Sequence, residues 1–109
     1  MTELEARKRA AEIAALLRDE TVPDEEIIRQ IKAEPELVHA KCLSGANLFL
    51  EAVVDNRFPV AQALRELGAD IHWTCQASVF NGNALNVARN PRQADQLLEW
   101  GVEIERNLS

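Results

Sequence analysis

The sequence predicts an all-α fold built from three pairs of helices. Apolar residues recur at helical spacing in six segments, and turn-forming residues separate these segments from one another. No segment shows the alternation of apolar and polar residues that is typical of a half-buried strand. The chain has three Phe, two Trp and no Tyr, so Leu, Ile, Val and Ala must fill the core, which suits thin helical layers.

The first helix pair is delimited by residues near the N-terminus. Thr2 and Glu5 have the spacing of a capping box, which predicts that a helix begins after Thr2. Pro23 precedes three acidic residues at positions 24–26, and this order predicts a second helix, with its negative charges at the positive end of the helix dipole. Pro35 is expected to end that helix.

The same signals delimit the second pair. Asn47 is a suitable N-cap for the third helix. Asn56 and Pro59 end that helix and begin the fourth, and Gly68 is expected to terminate the fourth.

In the third pair, the fifth helix is predicted to begin at Gly82 or Asn83. Asn90 and Pro91 form a cap and first-turn pair for the sixth helix, and Gly101 ends it. Each of the three pairs is therefore bounded by local signals.

The second helices of the pairs repeat with a period of 33 residues. Ile31, Leu64 and Leu97 align at this shift, and Gly68 aligns with Gly101. A period of this length is typical of stacked helical repeats, in which each unit buries its apolar face against its neighbours. We therefore interpret residues 1–109 as a single domain of three units, which are residues 1–41, 42–74 and 75–109.

The first helices depart from this period. Ala52 aligns with Ala88, which lies 36 residues further along the chain. We interpret the difference as an insertion of three residues after Cys75, compensated by a loss of three residues in the turn between Ala88 and Pro91. The insertion predicts an enlarged loop at residues 72–83.

The most specific motif of the repeat is the Gly-Ala-Asp-Ile segment at residues 68–71, which ends the segment 45–71. That segment follows the pattern G-x-T-P-L-H-x-A-A-x-x-G-x-x-x-I-V-x-L-L-L-x-x-G-A-D-V without a gap. The matching positions are Gly45, Ala52, Val60, Leu64, Gly68, Ala69, Asp70 and Ile71, with Phe49 as a conservative match. The segment resembles the ankyrin-repeat family, and the resemblance is weaker over residues 79–104 and weakest over 1–43.

The resemblance implies a short ankyrin-like solenoid of three helix-pair repeats with projecting loops, which binds a protein partner. One corner departs from the family pattern. The T-P-L-H tetrapeptide is replaced by Asn-Leu-Phe-Leu at residues 47–50 and by Asn-Ala-Leu-Asn at 83–86. The hydrogen bonds at this corner are therefore expected to differ, although Asn47 and Asn83 can still cap their helices.

Charge and hydropathy limit the classes of function. The net charge of −6 disfavours binding to the phosphate backbone of nucleic acids and would favour a basic protein partner. No apolar segment reaches the length of about 20 residues that spans a bilayer. We therefore expect a cytoplasmic protein, monomeric, without nucleic-acid or membrane binding.

Two sequence motifs raise the possibility of a metal site. His39 precedes Cys42, and His72 precedes Cys75, each by three residues. Equivalent residues of stacked repeats lie about 10 Å apart, whereas zinc requires each ligand at about 2.0–2.3 Å. These distances argue against a metal site. The sequence also contains no nucleophile motif and no glycine-rich phosphate loop, so it predicts no cofactor and no enzymatic activity.

Two groups of residues are candidates for binding the partner. Trp73 lies in the enlarged loop, where a projecting Trp would be a binding hot spot; the alternative is that it covers the loop by packing on Phe80 or Val79. The resemblance also implies that residues on the concave side of the first helices are exposed. The candidate residues are His72, Trp73, Thr74, Gln76 and Phe80 in the loop, and Val54, Asp55 and Arg57 on the concave side.

Three functions remain open from the sequence. The first is a non-catalytic module that binds a protein partner through its inter-repeat loops and its concave helix face. The second is a dedicated inhibitor, such as an immunity protein that neutralises a basic toxin or enzyme. The third is a structural adaptor that self-associates through its last repeat, where Leu97, Leu98 and Trp100 would be incompletely covered.

Overall fold

The computed structural model describes residues 2–42, 45–76, 81–88 and 91–102. The chain is mostly helical, as the sequence predicts. In the described ranges, six α-helices are accompanied by one 3₁₀ helix and one pair of short antiparallel strands. The elements are α1 (Glu3–Leu17), α2 (Asp24–Ala33), the 3₁₀ helix (Pro35–His39), α3 (Leu48–Val54), α4 (Phe58–Glu66), β1 (Cys75–Gln76), β2 (Asn81–Gly82), α5 (Ala84–Val87) and α6 (Pro91–Glu99).

Local capping interactions begin the helices at the positions that the sequence predicts. The side chain of Thr2 accepts a hydrogen bond from the backbone N–H of Glu5 at 3.2 Å. Asn47 caps α3, and Asn83 caps α5 in a reciprocal capping box with Asn86. Each cap satisfies backbone donors that have no partner within the helix.

The ends of α4 and α6 have the same geometry, 33 residues apart. Gly68 and Gly101 have φ angles of 97° and 93°, a region that residues with a Cβ atom rarely adopt. The residue after each glycine donates its backbone N–H to the carbonyl oxygen of Leu64 or Leu97, at 3.0 Å in both cases. These are matching helix terminations, and they explain why the period is strict in the second helices.

Helix α3 lies at the centre of the packing. It contacts α1 on one side and α5 on another, and it also packs against α4 and the 3₁₀ helix. The second helix α2 contacts both α1 and α4, and α5 contacts α6. The side chains from Leu48 to Val53 are all buried, so this short helix is held mainly by tertiary contacts, since its length alone would leave it marginal.

The period of the second helices is also visible in their burial. Ile31, Leu64 and Leu97 each have a relative exposure of 0%, although they lie on three different helices. Each removes a branched aliphatic side chain from water, which contributes about 1.5–3 kcal/mol per residue. The aligned positions are therefore equivalent core positions.

Besides the 3₁₀ helix, which the sequence did not predict, two details of the fold differ from the sequence-based expectation. Helix α5 has four residues and α3 has seven, while three residues connect each of them to the next helix. The three residues that were expected to be missing from the turn before Pro91 are therefore missing from α5, and the turn between α5 and α6 has the same length as the turn between α3 and α4. In addition, β1 and β2 form where no strand was predicted, because segments of two residues are too short for an alternating pattern to appear.

Candidate functional site

A groove of about 390 Å³ lies where the N-terminal turns of α1 approach the 3₁₀ helix and the loop that contains Trp73. Its apolar surface is supplied mainly by Trp73, Ala6 and Ala40, and charged side chains surround these residues. We call this the Trp73 groove; its lining residues are Thr2, Glu3, Ala6, Arg7, Glu36, His39, Ala40, Lys41 and Trp73.

Trp73 is held in the groove by a hydrogen bond to another loop. Its indole Nε1–H donates to the carbonyl oxygen of Gly45 at 3.0 Å, and the residue is half-buried against the hydrophobic core. The ring is therefore both a partner of the preceding loop and a wall of the groove. Val79 and Phe80, on which the sequence suggested that Trp73 packs, lie outside the described residues.

Hydrogen bonds of two side chains, those of Asn47 and Asp70, hold the loop that carries Trp73. Asn47 is 1% exposed; its Oδ1 accepts from the backbone N–H of Leu50, and its Nδ2 donates to the carbonyl oxygen of Asp70 at 2.9 Å. Asp70 Oδ1 in turn accepts from the backbone N–H of His72 at 2.9 Å. At the position where the family pattern begins its T-P-L-H motif, Asn47 therefore caps α3 and also hydrogen-bonds to the following loop.

Sequence reasoning proposed only Trp73 among the residues that line this groove, and Arg7 is the most informative of those that it missed. Its Nε atom is buried and has no hydrogen-bond partner within the described part of the chain. By contrast, Arg9 is paired with both Glu12 and Glu34. A buried donor without a partner costs about 1–3 kcal/mol.

A sequence signal for Arg7 did exist. Arg7 precedes Ala10, Ala14 and Leu17 by 3, 7 and 10 residues, which places its charge on the buried stripe of α1. A cation on the apolar face of an amphipathic helix is uncommon, because burying a charge without a partner is costly.

The other loop candidates lie near Trp73 but do not line the groove. His72 and Thr74 are exposed, and Gln76 lies in β1, opposite Asn81. Phe80 lies outside the described residues. The structure therefore brings His72, Trp73 and Thr74 together at one end of the molecule as a continuous loop segment.

The concave-side candidates lie at the opposite ends of α1 and α3, beside a cleft of about 560 Å³. Val54 and Asp55 are half-buried. The cleft is lined by Leu17 and by six polar or charged residues, which are Arg18, Glu20, Asp24, Asp55, Asn56 and Arg57.

Arg57 is engaged within the protein. Its five N–H groups donate to five oxygen atoms. One is Asp24 Oδ1, and the other four are the backbone carbonyl oxygens of Leu16, Leu17, Asp19 and Val22. A guanidinium has five donors, so all of them are occupied. The side chain is 13% exposed, and its role here is to join the α3–α4 turn to the α1–α2 turn.

The face of α3 that the resemblance would leave open is closed at its centre, although Val54 and Asp55 at its end are half-buried. Glu51 on α3 is 1% exposed, and Arg18 Nη2 lies 3.2 Å from its Oε2. Arg18 Nε also lies 3.9 Å from Asp55 Oδ2. Ala46, which immediately precedes the N-cap residue of α3, is fully buried. A partner therefore cannot reach the centre of α3 without displacing Arg18.

The residues of the two His-x-x-Cys motifs have different environments. Cys42 is buried, and burial, with a smaller contribution from the nearby Glu51 charge, raises the pKa of its thiol to about 12. His39 and His72 are exposed. Across the described ranges, no group of three or more His, Cys, Asp or Glu side chains is arranged to hold a metal ion.

Most of the large apolar side chains of α6 and the residue after it pack inside the protein. Trp100 stacks on Phe58 with a centroid distance of 5.3 Å, and Arg65 lies over the indole at 5.1 Å. Leu97 is fully buried, whereas Leu98 is 53% exposed. Single exposed leucines are common on protein surfaces, so Leu98 does not by itself form a continuous apolar patch within the described residues.

Comparison with known proteins does not assign the chain to a family, since no family model, curated protein or solved structure matches it. Within the described residues, every helix is too short or too polar to cross a bilayer. The functional argument therefore depends on the geometry of the chain itself.

Proposed function

We propose that this protein is a short ankyrin-like repeat module without catalytic activity, and that it binds a protein partner at the Trp73 groove. The observation that carries the proposal is the half-buried Trp73, which forms an apolar wall next to polar side chains from α1 and the 3₁₀ helix. A large aromatic ring of this kind, surrounded by polar groups, is typical of the centre of a binding interface.

The matching helix ends support the repeat part of the proposal. Gly68 and Gly101 end α4 and α6 in the same conformation, and Asn47 and Asn83 cap α3 and α5. The order of contacts along the chain, with α3 between α1 and α5, is what stacked helix pairs would produce. The 3₁₀ helix takes the place of a longer connection after α2.

The binding site in this proposal is narrower than the one inferred from the sequence. His72, Trp73 and Thr74 remain in it, as the loop segment beside the groove. Arg57 is left out, because its donors are used within the protein. The partner would therefore contact the end of the molecule formed by α1, the 3₁₀ helix and the Trp73 loop.

Affinity capture with a matched variant tests the proposal. The wild-type chain and Trp73→Ala are immobilised separately, exposed to lysate from cells that carry the gene, and the retained proteins are identified by mass spectrometry. We expect a protein that is retained by the wild type and that binds Trp73→Ala at least about 30-fold more weakly, which corresponds to about 2 kcal/mol.

The control is Leu98→Ala, which truncates an exposed apolar residue at the other end of the chain and should leave binding unchanged. Circular dichroism must show that Trp73→Ala is folded at the assay temperature. Equal binding by the wild type and Trp73→Ala would contradict the proposal. If the captured protein is a basic enzyme that the chain inhibits, the inhibitor alternative is the correct form of the function.

A further inference from the structure

We infer that the Trp73 groove recognises a partner segment that places an Asp or Glu carboxylate against Arg7 and an apolar side chain on Trp73. This inference rests on the proposed function, because it names the chemistry of the partner at the same groove. Its basis is the pairing of two features in one site, an apolar wall and a buried donor without a partner in the described residues.

Arg7 identifies the polar half of the ligand. Its guanidinium has five N–H donors and no acceptor, and its buried Nε has no partner in the described residues. A carboxylate is the group that matches a guanidinium best, because its two oxygens accept two parallel N–H bonds. Arg7 is half-buried on α1 and lines the groove, and the proposed contact requires its flexible side chain to turn the buried Nε–H into the groove when the ligand binds.

Trp73 identifies the apolar half. Its indole N–H is already used by Gly45, so the ring has no donor to offer and presents its carbon surface. Together with Ala6 and Ala40, it forms a wall that an aliphatic or aromatic side chain would cover. The ligand therefore combines a carboxylate and an apolar group in neighbouring positions of one peptide segment.

The other charges of the groove are compatible with this ligand. Glu3 and Glu36 are exposed, so the high dielectric of the surrounding water weakens their repulsion of an acidic ligand. Lys41 is also exposed, and as a cation at the same groove it favours the carboxylate. Arg7 differs from these residues because its Nε has no hydrogen bond within the described residues to give up, so a carboxylate in the groove would satisfy a donor that the fold leaves unsatisfied.

A random peptide library displayed on phage, selected on the immobilised full chain, tests this inference before the natural partner is identified. We expect the selected peptides to share an Asp or Glu within two residues of a large apolar residue. One selected peptide is then synthesised with amidated ends, in its acidic form and with that acid replaced by Asn or Gln, and titrated calorimetrically.

The variants are Arg7→Gln, Trp73→Ala and the control Lys8→Gln, which removes a cation at the adjacent, exposed position of α1. We expect Arg7→Gln to weaken the acidic peptide at least about 10-fold and to leave the neutral peptide unchanged, while Lys8→Gln changes neither beyond about 2-fold. Circular dichroism confirms that each variant is folded.

The outcomes separate the two proposals. If Arg7→Gln binds the acidic peptide as the wild type does, or if the selected peptides lack an acid, the inference is overturned. If Trp73→Ala abolishes binding of the acidic peptide and Arg7→Gln does not weaken it, the proposed function stands and only the role of Arg7 is refuted. A library that yields no peptide dependent on Trp73 also overturns the inference, and the captured partner then decides the proposed function.

Discussion

The guanidinium Nη2 of Arg57 donates a hydrogen bond of 2.6 Å to the carbonyl oxygen of Asp19. The two residues are 38 positions apart in the chain. Asp19 lies in the α1–α2 turn, and its carbonyl oxygen also accepts from the backbone N–H of Val22 at 3.1 Å. Arg57, in the α3–α4 turn, therefore adds a second donor to this oxygen, and the contact joins the two helix pairs.

Replacement of Arg57 should destabilise the fold. Arg57→Ala removes five donors and leaves a half-buried cluster of carbonyl oxygens without them, so we expect a loss of about 2–4 kcal/mol in the free energy of unfolding. Arg57→Lys should recover less than half of this loss, because an ammonium lacks the planar fork of donors. Urea denaturation measures both values.

The matched control for Arg57 is Arg29→Ala. Arg29 is paired with Glu26 on α2, and its side chain is 68% exposed, so its removal should cost less than about 1 kcal/mol. Equal losses for Arg57→Ala and Arg29→Ala would show that the guanidinium of Arg57 does not stabilise the junction.

Asn47 should contribute more than an ordinary helix cap. It is buried, it caps α3, and it also donates to the carbonyl oxygen of Asp70. We expect Asn47→Ala to lower the free energy of unfolding by about 2–3 kcal/mol, because both the cap and the link to the next loop are lost.

The comparison for Asn47 is Thr2→Ala, which removes an exposed cap and should cost about 0.5–1 kcal/mol. The two losses are measured by the same urea titration. If they are equal, the hydrogen bond between Asn47 and Asp70 adds nothing to stability.

Glu26 should make the stability of the protein depend on pH in the acidic range. Hydrogen bonds from Arg29, and then from Gln30, lower the pKa of Glu26 from 4.5 to about 2. Because the folded-state pKa is the lower one, its contribution is fully present above the unfolded-state pKa and is lost as the pH falls from about 4.5 towards 2. Glu26→Gln should therefore flatten this part of the stability profile.

Urea titrations between about pH 2.5 and about pH 6, which span most of this range, measure the effect. The control is Glu25→Gln, which removes a carboxylate from the same first turn of α2 but keeps the pair of Glu26 and Arg29. It should retain the slope of the wild type over this range. A Glu26→Gln profile as steep as that of the wild type would contradict the prediction.

Cys42 should be unreactive while the protein is folded. Its Sγ is buried near the carbonyl oxygen of Ala10, and burial raises the pKa of the thiol to about 12. The chain has two cysteines, so Cys75→Ser leaves Cys42 as the one thiol to follow. At about pH 8 its reaction with a disulfide reagent should be more than about 100-fold slower in buffer than in urea.

Two measurements make the Cys42 experiment decisive. The reaction in urea gives the rate of the same thiol once burial is removed, and circular dichroism shows whether Cys75→Ser keeps its helical content. A rate in buffer close to that in urea, from a variant that is folded, would mean that the thiol is accessible to solvent.

Helix boundaries in this protein could be predicted from sequence because their causes are local. Asn47 and Asn83 cap helices through contacts within three residues, and Gly68 ends α4 because its φ angle of 97° suits a residue without a Cβ atom. The 3₁₀ helix was not predicted, although Pro35 was expected to end α2. A proline can start a short helical turn as readily as it ends a longer helix.

The candidate site was predicted only in part. The loop position of Trp73 followed from the 33-residue period, but its hydrogen bond to Gly45 spans 28 residues and has no local signal. Arg57 was expected to face a partner on the basis of its position in a repeat. Its actual partners lie 33 to 41 residues earlier, and no pattern within the α3–α4 turn indicates them.

The sequence by itself determined where the capped helices begin, that Gly68 and Gly101 end two of them, and that Ile31, Leu64 and Leu97 are buried, because capping, glycine conformation and helical periodicity act over a few residues. Tertiary structure alone decided that Arg57 is used within the protein, that Glu51 is covered by Arg18, and that Arg7 lies in a groove beside Trp73. These outcomes depend on which helix ends come together when the pairs pack. Contacts between residues that are remote in the chain follow from the packing of the whole core, and not from any single segment.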